Sequence, residues 1–410
     1  MNFSSRLVIV AITALGLVVP LVNANPAVPP PKYHAVTIAV SAEKSTVNAV
    51  NFLDSAAGSA YFDGHSRAFF RDNTSGNTVY LEEIVGVETP FESYALGINN
   101  DNVVVGRAFS FVPGDFWIAG FVWNPLTGVA TLLPNGNGNV YSQANAINDD
   151  GVIVGGNWGS SGAGGAVWYD ATLPPVMLEG FEYIEPLDVN STGEFAGALV
   201  NGGTPFAFIG VVGELHALPY FGLSGCGAQA LNDSGWVVGS TSFPEDSYQA
   251  CLWKLDSFAT PLGVLAGGWG SYATGVNNHG TIVGTSQMTN PGGVGFVTLA
   301  DDRGFVWFDS YNGQSNALFN LNDCIGDQPL VITGTHDVND NGTIAAETNN
   351  THAVLLFRTS NADLNYDGIV NGIDVGILLS EWGAQGQSDL NVDGIVSAPD
   401  LAILLSEWGS

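Results

Sequence analysis

The chain has 410 residues, of which 12% are charged and 46% hydrophobic, and nine Lys and Arg stand against 39 Asp and Glu. The formal net charge of −30 excludes a phosphate backbone or an anionic lipid surface as the main partner, because both would be repelled. The 53 glycines, 22 Phe, 12 Tyr and 10 Trp favour many short strands joined by tight turns over a coiled coil or a disordered chain.

Residues 1–24 have the features of a secretory signal peptide. Arg6 supplies the positive start, an apolar run follows, and Val22-Asn23-Ala24 matches the small-residue pattern of a cleavage site. We therefore expect a secreted or cell-surface protein that keeps no membrane span after cleavage, the alternative being an uncleaved anchor. A proline-rich lead-in over residues 25–32 follows the signal.

One pattern recurs between residues 45 and 358. It consists of an alternating apolar stretch, a turn similar to Asn-Asp-x-Gly, and a β-branched run that ends in Gly in the strong copies. Strong copies occupy 95–106, 144–155, 228–239 and 273–284, weaker ones occupy 186–197 and 335–346, and a degenerate one surrounds Asn51. Because Asn and Asp cap such turns and Gly adopts the left-handed conformation, each copy predicts a β-hairpin.

A third strand is predicted after each hairpin, at 68–70, 121–123, 166–168, 206–208, 251–253, 305–307 and 353–355, and several copies continue into a fourth strand. Four short strands in each repeat predict a mostly β fold, a β-propeller-like array of about seven four-stranded units over residues 33–359. A solenoid of stacked sheets is the main alternative. The last unit lacks a fourth strand, so we expect residues 33–40 to supply it and to close the ring.

These repeats resemble the HAF family of extracellular repeats, in which a His-Ala-Phe-like strand pairs with an Ile-Asn-x-x-Gly hairpin. Among the predicted third strands, only the one at 353–355 keeps the His-Ala pair, as His352-Ala353. The resemblance implies a secreted β-repeat architecture, and no catalytic role attaches to its motif.

The C-terminal segment 360–410 contains a different duplication, in which residues 363–374 align with residues 389–400 without gaps. A twelve-residue calcium loop takes oxygen ligands from positions 1, 3, 5, 7, 9 and 12, and it has Gly at position 6. The predicted ligands of two Ca²⁺ ions are Asp363, Asn365, Asp367, the Ile369 carbonyl, Asn371 and Asp374, then Asp389, Asn391, Asp393, the Ile395 carbonyl, Ser397 and Asp400. Three carboxylates in each loop repel one another without metal, so we expect this segment to fold or tighten on binding calcium.

Each loop runs into one predicted short helix. Four apolar residues share one face of each helix, and we expect the two faces to pack against each other: Val375, Leu378, Leu379 and Trp382, then Leu401, Leu404, Leu405 and Trp408. A duplicated loop and single helix with Asp at the twelfth position resembles a dockerin of the cellulosome type. The resemblance implies a small α-helical, EF-hand-like C-terminal domain that binds a cohesin.

The dockerin resemblance also implies which residues contact the partner, namely loop positions 10 and 11 and the following helix. In this chain these are Gly372, Ile373, Leu379, Ser380, Ala398, Pro399, Leu405 and Ser406. The loop positions lack the hydroxyl pair that is common in cellulosomal members, so we expect a divergent cohesin-like protein or another cell-surface protein as the partner. The alternative is a calcium-stabilised cap without a partner.

Two further groups of residues leave alternatives open. Cys226 and Cys251 could form a disulfide if their strands are neighbours, and the alternative is that all three cysteines are buried thiols. Trp117, Trp158 and Trp269 lie among glycines outside the repeat core. They are candidates for a face that stacks on a sugar ring or fills a partner's pocket, and the alternative is packing between blades.

No catalytic motif is present, and the six histidines show no metal-binding spacing. We therefore expect a secreted, non-catalytic binding or scaffold protein that presents a ligand- or partner-binding face and docks through calcium. The alternative is a polysaccharide-degrading hydrolase or lyase carried as dockerin-tagged cargo. That enzyme would need two convergent carboxylates, for which the scattered acids Asp115, Glu182, Glu185, Glu245 and Asp246 are the sequence's candidates.

Overall fold

The structure is a computed structural model that describes residues 29–39, 42–81, 83–85, 87, 91–110, 116–159, 162–220, 225–242, 248–254, 257–288, 302–391 and 393–410. The predicted signal peptide, residues 25–28 of the proline-rich lead-in and the acids Asp115, Glu245 and Asp246 lie outside these residues.

Antiparallel strands form seven four-stranded sheets, which we call blades one to seven in chain order. Blade one contains β2 (Lys44–Val50), β3 (Ala56–Phe62), β4 (His65–Arg71) and β5 (Thr78–Tyr80). Blade two contains β6 (Glu92–Ile98), β7 (Val104–Ser110), β8 (Trp117–Asn124) and β9 (Val129–Leu132). Blade three contains β10 (Tyr141–Ile147), β11 (Ile153–Gly159), β12 (Gly162–Trp168) and β13 (Val176–Leu178). Blade four contains β14 (Tyr183–Val189), β15 (Phe195–Asn201), β16 (Thr204–Val211) and β17 (Glu214–Ala217).

Blade five contains β18 (Cys226–Leu231), β19 (Val237–Ser242), β20 (Tyr248–Trp253) and β21 (Thr260–Gly263). Blade six contains β22 (Gly270–Val276), β23 (Thr281–Gln287), β24 (Arg303–Tyr311) and β25 (Gln314–Asn320), and a short 3-10 turn follows at Leu321–Asp323. Blade seven contains β26 (Ile332–Val338), β27 (Ile344–Thr348), β28 (Ala353–Thr359) and the first strand of the chain, β1 (Lys32–Thr37). The first strand in sequence order of blades one to six, and β26 in blade seven, is the inner strand. Inner strands of successive blades contact one another around a central channel, and β2 contacts β26.

The ring closes as predicted. Strand β1 pairs antiparallel with β28, from Lys32 opposite Thr359 to Thr37 opposite Val354, and it is the outer strand of blade seven. Seven blades, the hairpins and all seven predicted third strands are confirmed, and the solenoid is wrong because the first and last blades contact each other.

The hydrophobic core lies between adjacent blades. The third strands supply large buried side chains, including Phe121, Trp168, Trp253 and Trp307. Burying an indole requires a partner for its N–H, and Trp168 and Trp253 donate theirs to the carbonyls of Pro134 and Pro219 at 2.8 and 2.7 Å. The recurring third-strand residues are therefore core residues.

The glycine that ends the hairpin motif is required by a close approach of two backbones. A Cβ atom on Gly106 would lie 2.0 Å from the carbonyl oxygen of Tyr94 on the inner strand. The corresponding distance is 2.0 to 2.3 Å at Gly58, Gly155, Gly197, Gly239 and Gly284. Blade seven has Ala346 there, and its inner strand has two register shifts where each other inner strand has one.

Gly239→Ala is therefore expected to lower the free energy of unfolding by about 2 kcal/mol or more, because the methyl group meets backbone atoms that cannot rotate away. Gly227→Ala on the paired inner strand is the matched control, since its Cβ would meet no atom of the described residues within 4 Å. Urea denaturation of both variants measures the difference. Equal midpoints would show that the close approach does not select glycine.

The C-terminal segment contains two short helices, α1 (Gly372–Ser380) and α2 (Ala398–Ser406), each beginning with a capping box. Ala362, Leu364, Val370, Leu378, Val396 and Leu404 form its small core. The segment is not a clearly separate helical domain, because its first loop packs against β1. Neither helix in the described part of the chain has the length and apolar character of a membrane-spanning segment.

The prediction for the helix faces is wrong in part. Leu378 and Leu404 are buried, but Leu379 and Leu405 are exposed, and so are Trp382 and Trp408. The reason is that the helices end at Ser380 and Ser406, so both tryptophans lie in the following turns rather than on the helical face. Each leucine that follows a buried one is turned about 100° around the helix, away from the core.

Candidate functional site

The seven Asn residues of the hairpin motif form a closed ring of hydrogen bonds. The side-chain nitrogen of each donates to the backbone carbonyl of the equivalent Asn in the next blade, at distances of 2.6 to 3.3 Å. The members are Asn51, Asn99, Asn148, Asn190, Asn232, Asn277 and Asn339, and Asn339 donates back to Asn51. The side-chain oxygens accept N–H bonds within their own turns, as predicted.

The donor role was missed at the level of sequence, although the sequence carries a signal for it. All seven copies have Asn at this position and none has Asp. Asp would cap the turn equally well, but an ionised carboxylate cannot donate to the next blade. The absence of Asp therefore indicates that the position needs a donor.

A cavity of about 200 Å³ opens at this end of the channel, which we call the hairpin end, and three residues of each blade line it. Its rim is formed by the residue after each ring Asn, including the carboxylates of Asp149, Asp233 and Asp340. The Asn278 amide donates to Asp233 and Asp340 at 2.9 and 3.0 Å, and the Asn100 amide donates to Asp149 at 2.7 Å. The rim groups thus mainly bind one another.

Two carboxylates belong to the inner strands next to this cavity. Asp188 and Asp337 occupy a position at which the other five blades have Ala or Gly. Each accepts one N–H from its own strand and one from the next blade, where the donors are Leu231 and Val50, both at 2.9 Å. Burial raises the pKa of Asp188 to about 7 against the hydrogen bond from Leu231, and the charge of Asp337 adds to the rise. Burial also raises the pKa of Asp337.

The other end of the channel, which we call the opposite mouth, carries a polar network that crosses blades two, three and four. Arg107 Nη1 donates to Gln143 Oε1 at 2.8 Å, and Gln143 Nε2 donates to Asn145 Oδ1 at 2.6 Å. Asn145 Nδ2 donates to Glu185 Oε1 at 3.2 Å, and the Tyr183 hydroxyl donates to Glu185 Oε2. Of the acids named from the sequence, Glu185 belongs to this network, whereas Glu182 accepts the Gly203 N–H.

Aromatic rings extend this mouth outward. The ring centroids of Phe116 and Tyr141 lie 5.9 Å apart, and those of Tyr141 and Trp158 lie 6.3 Å apart. Trp117 and Trp269 lie at the same end of the propeller, because one begins the third strand of blade two and the other precedes the inner strand of blade six. All three candidate tryptophans are only partly exposed, and the structure does not bring them together on one blade.

The predicted Cys226–Cys251 disulfide is absent, because the condition on which it depended is not met. Cys226 lies on β18 and Cys251 on β20, and β19 runs between these strands. Both thiols are free and buried, as is Cys324, and the Cys226 sulfur accepts the Ala207 N–H at 3.1 Å. The arrangement matches the alternative of three buried thiols.

The two acidic loops of the C-terminal segment repeat the same internal hydrogen bonds. The first carboxylate of each loop accepts the N–H groups of positions 5 and 6, from Asp367 and Gly368 to Asp363 and from Asp393 and Gly394 to Asp389. The last carboxylate accepts the N–H of positions 3 and 9, from Asn365 and Asn371 to Asp374 and from Asn391 and Ser397 to Asp400. The carboxylates at the first and last positions of each loop therefore point toward the inside of the loop.

The donor set fits a calcium ion in type, since every predicted ligand atom is an oxygen. In the first loop, the Asn365 side-chain nitrogen donates a hydrogen bond to the Asp367 carboxylate. The Asn371 side-chain nitrogen donates to the Ile369 carbonyl at 3.1 Å, so these ligand groups are close together. Among the described residues no three Asp, Glu, His or Cys side chains come close enough to hold a metal ion on their own. Amide and carbonyl oxygens would therefore have to complete the site.

The first loop is attached to the strand that closes the ring. The buried Lys32 of β1 donates to the Asp363 carbonyl at 3.0 Å, and its ammonium lies 5.1 Å from the centroid of the Tyr366 ring. His34 Nδ1 lies 3.0 Å from the Tyr366 carbonyl. Burial lowers the pKa of Lys32 to about 8, although the negative charges of Asp363 and Asp374 act in the other direction.

No family model and no curated protein matches this chain, so the resemblances to HAF repeats and to dockerins stay predictions. The chain is similar in structure to YCF48 bound to a D1 peptide, at 10% identity and a TM-score of 0.46, covering 82% of this chain and 98% of that one. It is also similar to a catalytically inactive virginiamycin B lyase from Staphylococcus aureus with quinupristin, at 10% identity and a TM-score of 0.43, covering 80% and 99%.

A third similar structure is TolB from Acinetobacter baumannii, at 11% identity and a TM-score of 0.38. That match covers 71% of this chain and spans 59% of the TolB chain. By its own sheet topology, the chain is a seven-bladed β-propeller with a duplicated acidic loop and helix at its C-terminus.

Proposed function

We propose that this protein is an exported binding protein whose propeller holds a ligand and whose C-terminal segment docks, when loaded with calcium, onto a cohesin-like or other extracellular protein. The observation that carries the proposal is a repeated set of exposed apolar side chains. Leu379 and Leu405 are each 52% exposed, and Trp382 and Trp408 are also exposed. Exposed apolar clusters of this kind are typical of protein interaction sites.

The eight residues that the dockerin resemblance assigns to the partner are all exposed. Ile373 is 58% exposed at loop position 11, and Pro399 is the exposed residue at the same position of the second loop. The hydroxyls of Ser380 and Ser406 each bond back to a carbonyl of their own helix at 2.7 Å, which leaves the leucines as the main apolar contacts. The duplication therefore supplies two equivalent surfaces.

Calcium would act on the start of each helix. Asn371 and Asp374 form the capping box of α1 and are also predicted ligands, and Ser397 and Asp400 do the same for α2. A bound Ca²⁺ ion neutralises the carboxylates that otherwise repel one another. Each ordered loop then fixes the direction in which its helix presents Leu379 or Leu405.

The enzyme alternative would need two channel carboxylates that are free to act on a substrate. Asp188 and Asp337 are the acids of the inner strands beside the cavity, and both oxygens of each already accept backbone N–H groups. Their bonds to the next blade support a role in holding blades together. For the cavity at the hairpin end, this observation favours binding over hydrolysis.

The test uses the mature chain in binding assays on immobilised cohesin domains and on extracts of the source's surface proteins. We expect calcium-dependent retention that Leu379→Asp combined with Leu405→Asp reduces by at least about tenfold, because the new charges oppose desolvation of the interface. Leu126→Asp is the matched control, since Leu126 is 93% exposed on the propeller. Retention that resists a calcium chelator, or that the double variant leaves unchanged, would reject the proposal.

A further inference from the structure

The opposite mouth has one wall built from side chains that bridge blades. We call it the network wall and define it by Tyr94, Arg107, Gln143, Asn145 and Glu185. Four of these residues lie on inner strands, and Arg107 lies on β7 directly opposite Tyr94. The guanidinium carbon of Arg107 lies 5.4 Å from the centroid of the Tyr94 ring. The wall therefore combines one aromatic ring with planar polar groups at the opposite mouth.

The polar groups of the wall suit hydroxyl groups as ligands. Amide, carboxylate and guanidinium groups each present two atoms in one plane, and a pair of neighbouring sugar hydroxyls can bind two such atoms at once. The wall also has an unused donor, because Arg107 Nε is buried and has no hydrogen-bond partner within the described structure. With a formal net charge of −30, the protein would repel an anionic ligand, so the chemistry favours a neutral one.

Among the described residues, blade five presents no side chain at the corresponding position. Gly227 occupies the position that Tyr94, Gln143 and Glu185 occupy in blades two to four, and a Cβ on it would meet no described atom within 4 Å. The described part of blade five therefore leaves space beside the wall at this position, which a ligand could occupy.

An aromatic strip leads from the wall toward the outside. Tyr141 lies two residues before Gln143 on β10, Trp158 is its partner on β11, and Phe116 of blade two is 52% exposed beside Tyr141. Aromatic rings stack on the apolar faces of sugar rings, and a strip of three suits more than one sugar unit.

We propose that the network wall and the strip of Phe116, Tyr141 and Trp158 form a binding site for a neutral oligosaccharide. One end of the ligand hydrogen-bonds to Gln143, Asn145, Glu185 and Arg107 within the mouth, and the following units stack on the strip. This inference rests on the proposed function, in which the propeller is the ligand-binding part of an exported protein, and it specifies the ligand's chemistry and position.

The experiment is calorimetric titration of the mature chain, in calcium, with cellohexaose, xylohexaose and mannohexaose. We expect at least one of these probes to bind and to change the tryptophan fluorescence. Trp158→Ala and Gln143→Ala should each weaken that binding by about tenfold or more. Trp269→Ala is the matched control, because Trp269 lies at the same end of the propeller but on blade six, and it should leave binding unchanged.

The outcomes separate this proposal from the docking proposal. Absence of binding to all three probes at millimolar concentration, or binding that survives both Trp158→Ala and Gln143→Ala, would overturn the saccharide site. Cohesin binding measured on the same preparations would then show that the docking segment is unaffected. Because Gln143→Ala also removes a bond to Arg107, Gln143→Glu supplies a variant of the same shape that still accepts from Arg107, and it should weaken binding because a carboxylate lacks the N–H donors of the amide.

Discussion

Replacing Asn232 with Ala is expected to lower the free energy of unfolding by about 3 to 5 kcal/mol, which is a large share of a domain's stability. The buried side chain accepts the N–H groups of Ser234 and Trp236 at 3.0 and 2.9 Å and donates to the Asn277 carbonyl at 2.9 Å. Alanine leaves all three of these backbone groups without their partner in a place that is largely closed to water. Urea denaturation followed by tryptophan fluorescence measures the loss.

Asn232→Asp separates the two roles of the residue. The carboxylate can still cap its own turn, but at neutral pH it places a negative charge against the Asn277 carbonyl, so we expect a loss similar to that of the alanine variant. Burial and this carbonyl raise the folded-state pKa of the new carboxyl group, so the variant should regain stability as the pH falls and the protonated group can donate. A variant as stable as the wild type at neutral pH would mean that turn capping alone explains the residue. Asn278→Ala is the control: Asn278 follows the ring Asn of blade six and is exposed, so water can replace its bonds to Asp233 and Asp340 and the variant should have little effect.

The blades could be predicted because each hairpin is specified by neighbouring residues. An Asn turn and a β-branched return strand are local features, and their repetition predicted about seven units, of which the structure has seven. The closing strand was predictable for a different reason, since the last unit lacked a strand and residues 33–40 were the unused alternating segment. The ring of Asn donors was not predicted, because it depends on contacts between residues 42 to 62 positions apart in neighbouring copies, and 288 apart at the closure.

The channel could not be assembled from the sequence. Arg107, Gln143 and Glu185 are ordinary members of alternating strands, and only the radial packing of blades two to four brings them together. Asp188 and Asp337 could have been noticed in the sequence, because they stand where the other copies have Ala or Gly. The sequence placed the candidate tryptophans only outside the repeat core, and it did not show that all three are partly buried at one end of the propeller.

In the C-terminal segment the gapless duplication predicted two loops and two helices, and the structure has both helices at the expected places. The periodicity of the apolar residues did not show where each helix ends. Trp382 and Trp408 follow the helical spacing, yet the chain turns before it reaches them. The early end explains the exposure of the two tryptophans, whereas Leu379 and Leu405 lie within the helices and are exposed because they are turned away from the buried leucines. The part of the helix-face prediction that failed is therefore the part that bears on the docking proposal.

Removing calcium is expected to destabilise the propeller as well as the C-terminal segment, if the loops bind calcium as proposed. The first loop holds β1 through Lys32 and Tyr366, and β1 is the strand that closes the ring. Order in this loop therefore stabilises the seventh blade. When free calcium is at a hundred times the Kd of a site, binding raises the free energy of unfolding by about 2.7 kcal/mol. Chelation removes this contribution and should therefore lower the thermal midpoint of the propeller.

The two loops provide the matched comparison. Asp363→Ala removes a ligand from the loop that contacts β1, whereas Asp389→Ala removes the same ligand from the second loop. In scanning calorimetry with calcium, we expect Asp363→Ala to lower the midpoint of the main propeller transition, and Asp389→Ala to reduce mainly the helical circular dichroism signal of the C-terminal segment. Lys32→Met should weaken the dependence of the propeller midpoint on calcium while leaving both loops able to bind it. Equal propeller midpoints for the two aspartate variants would show that the calcium loops and the ring closure are energetically independent, and the contact at Lys32 would then be packing alone.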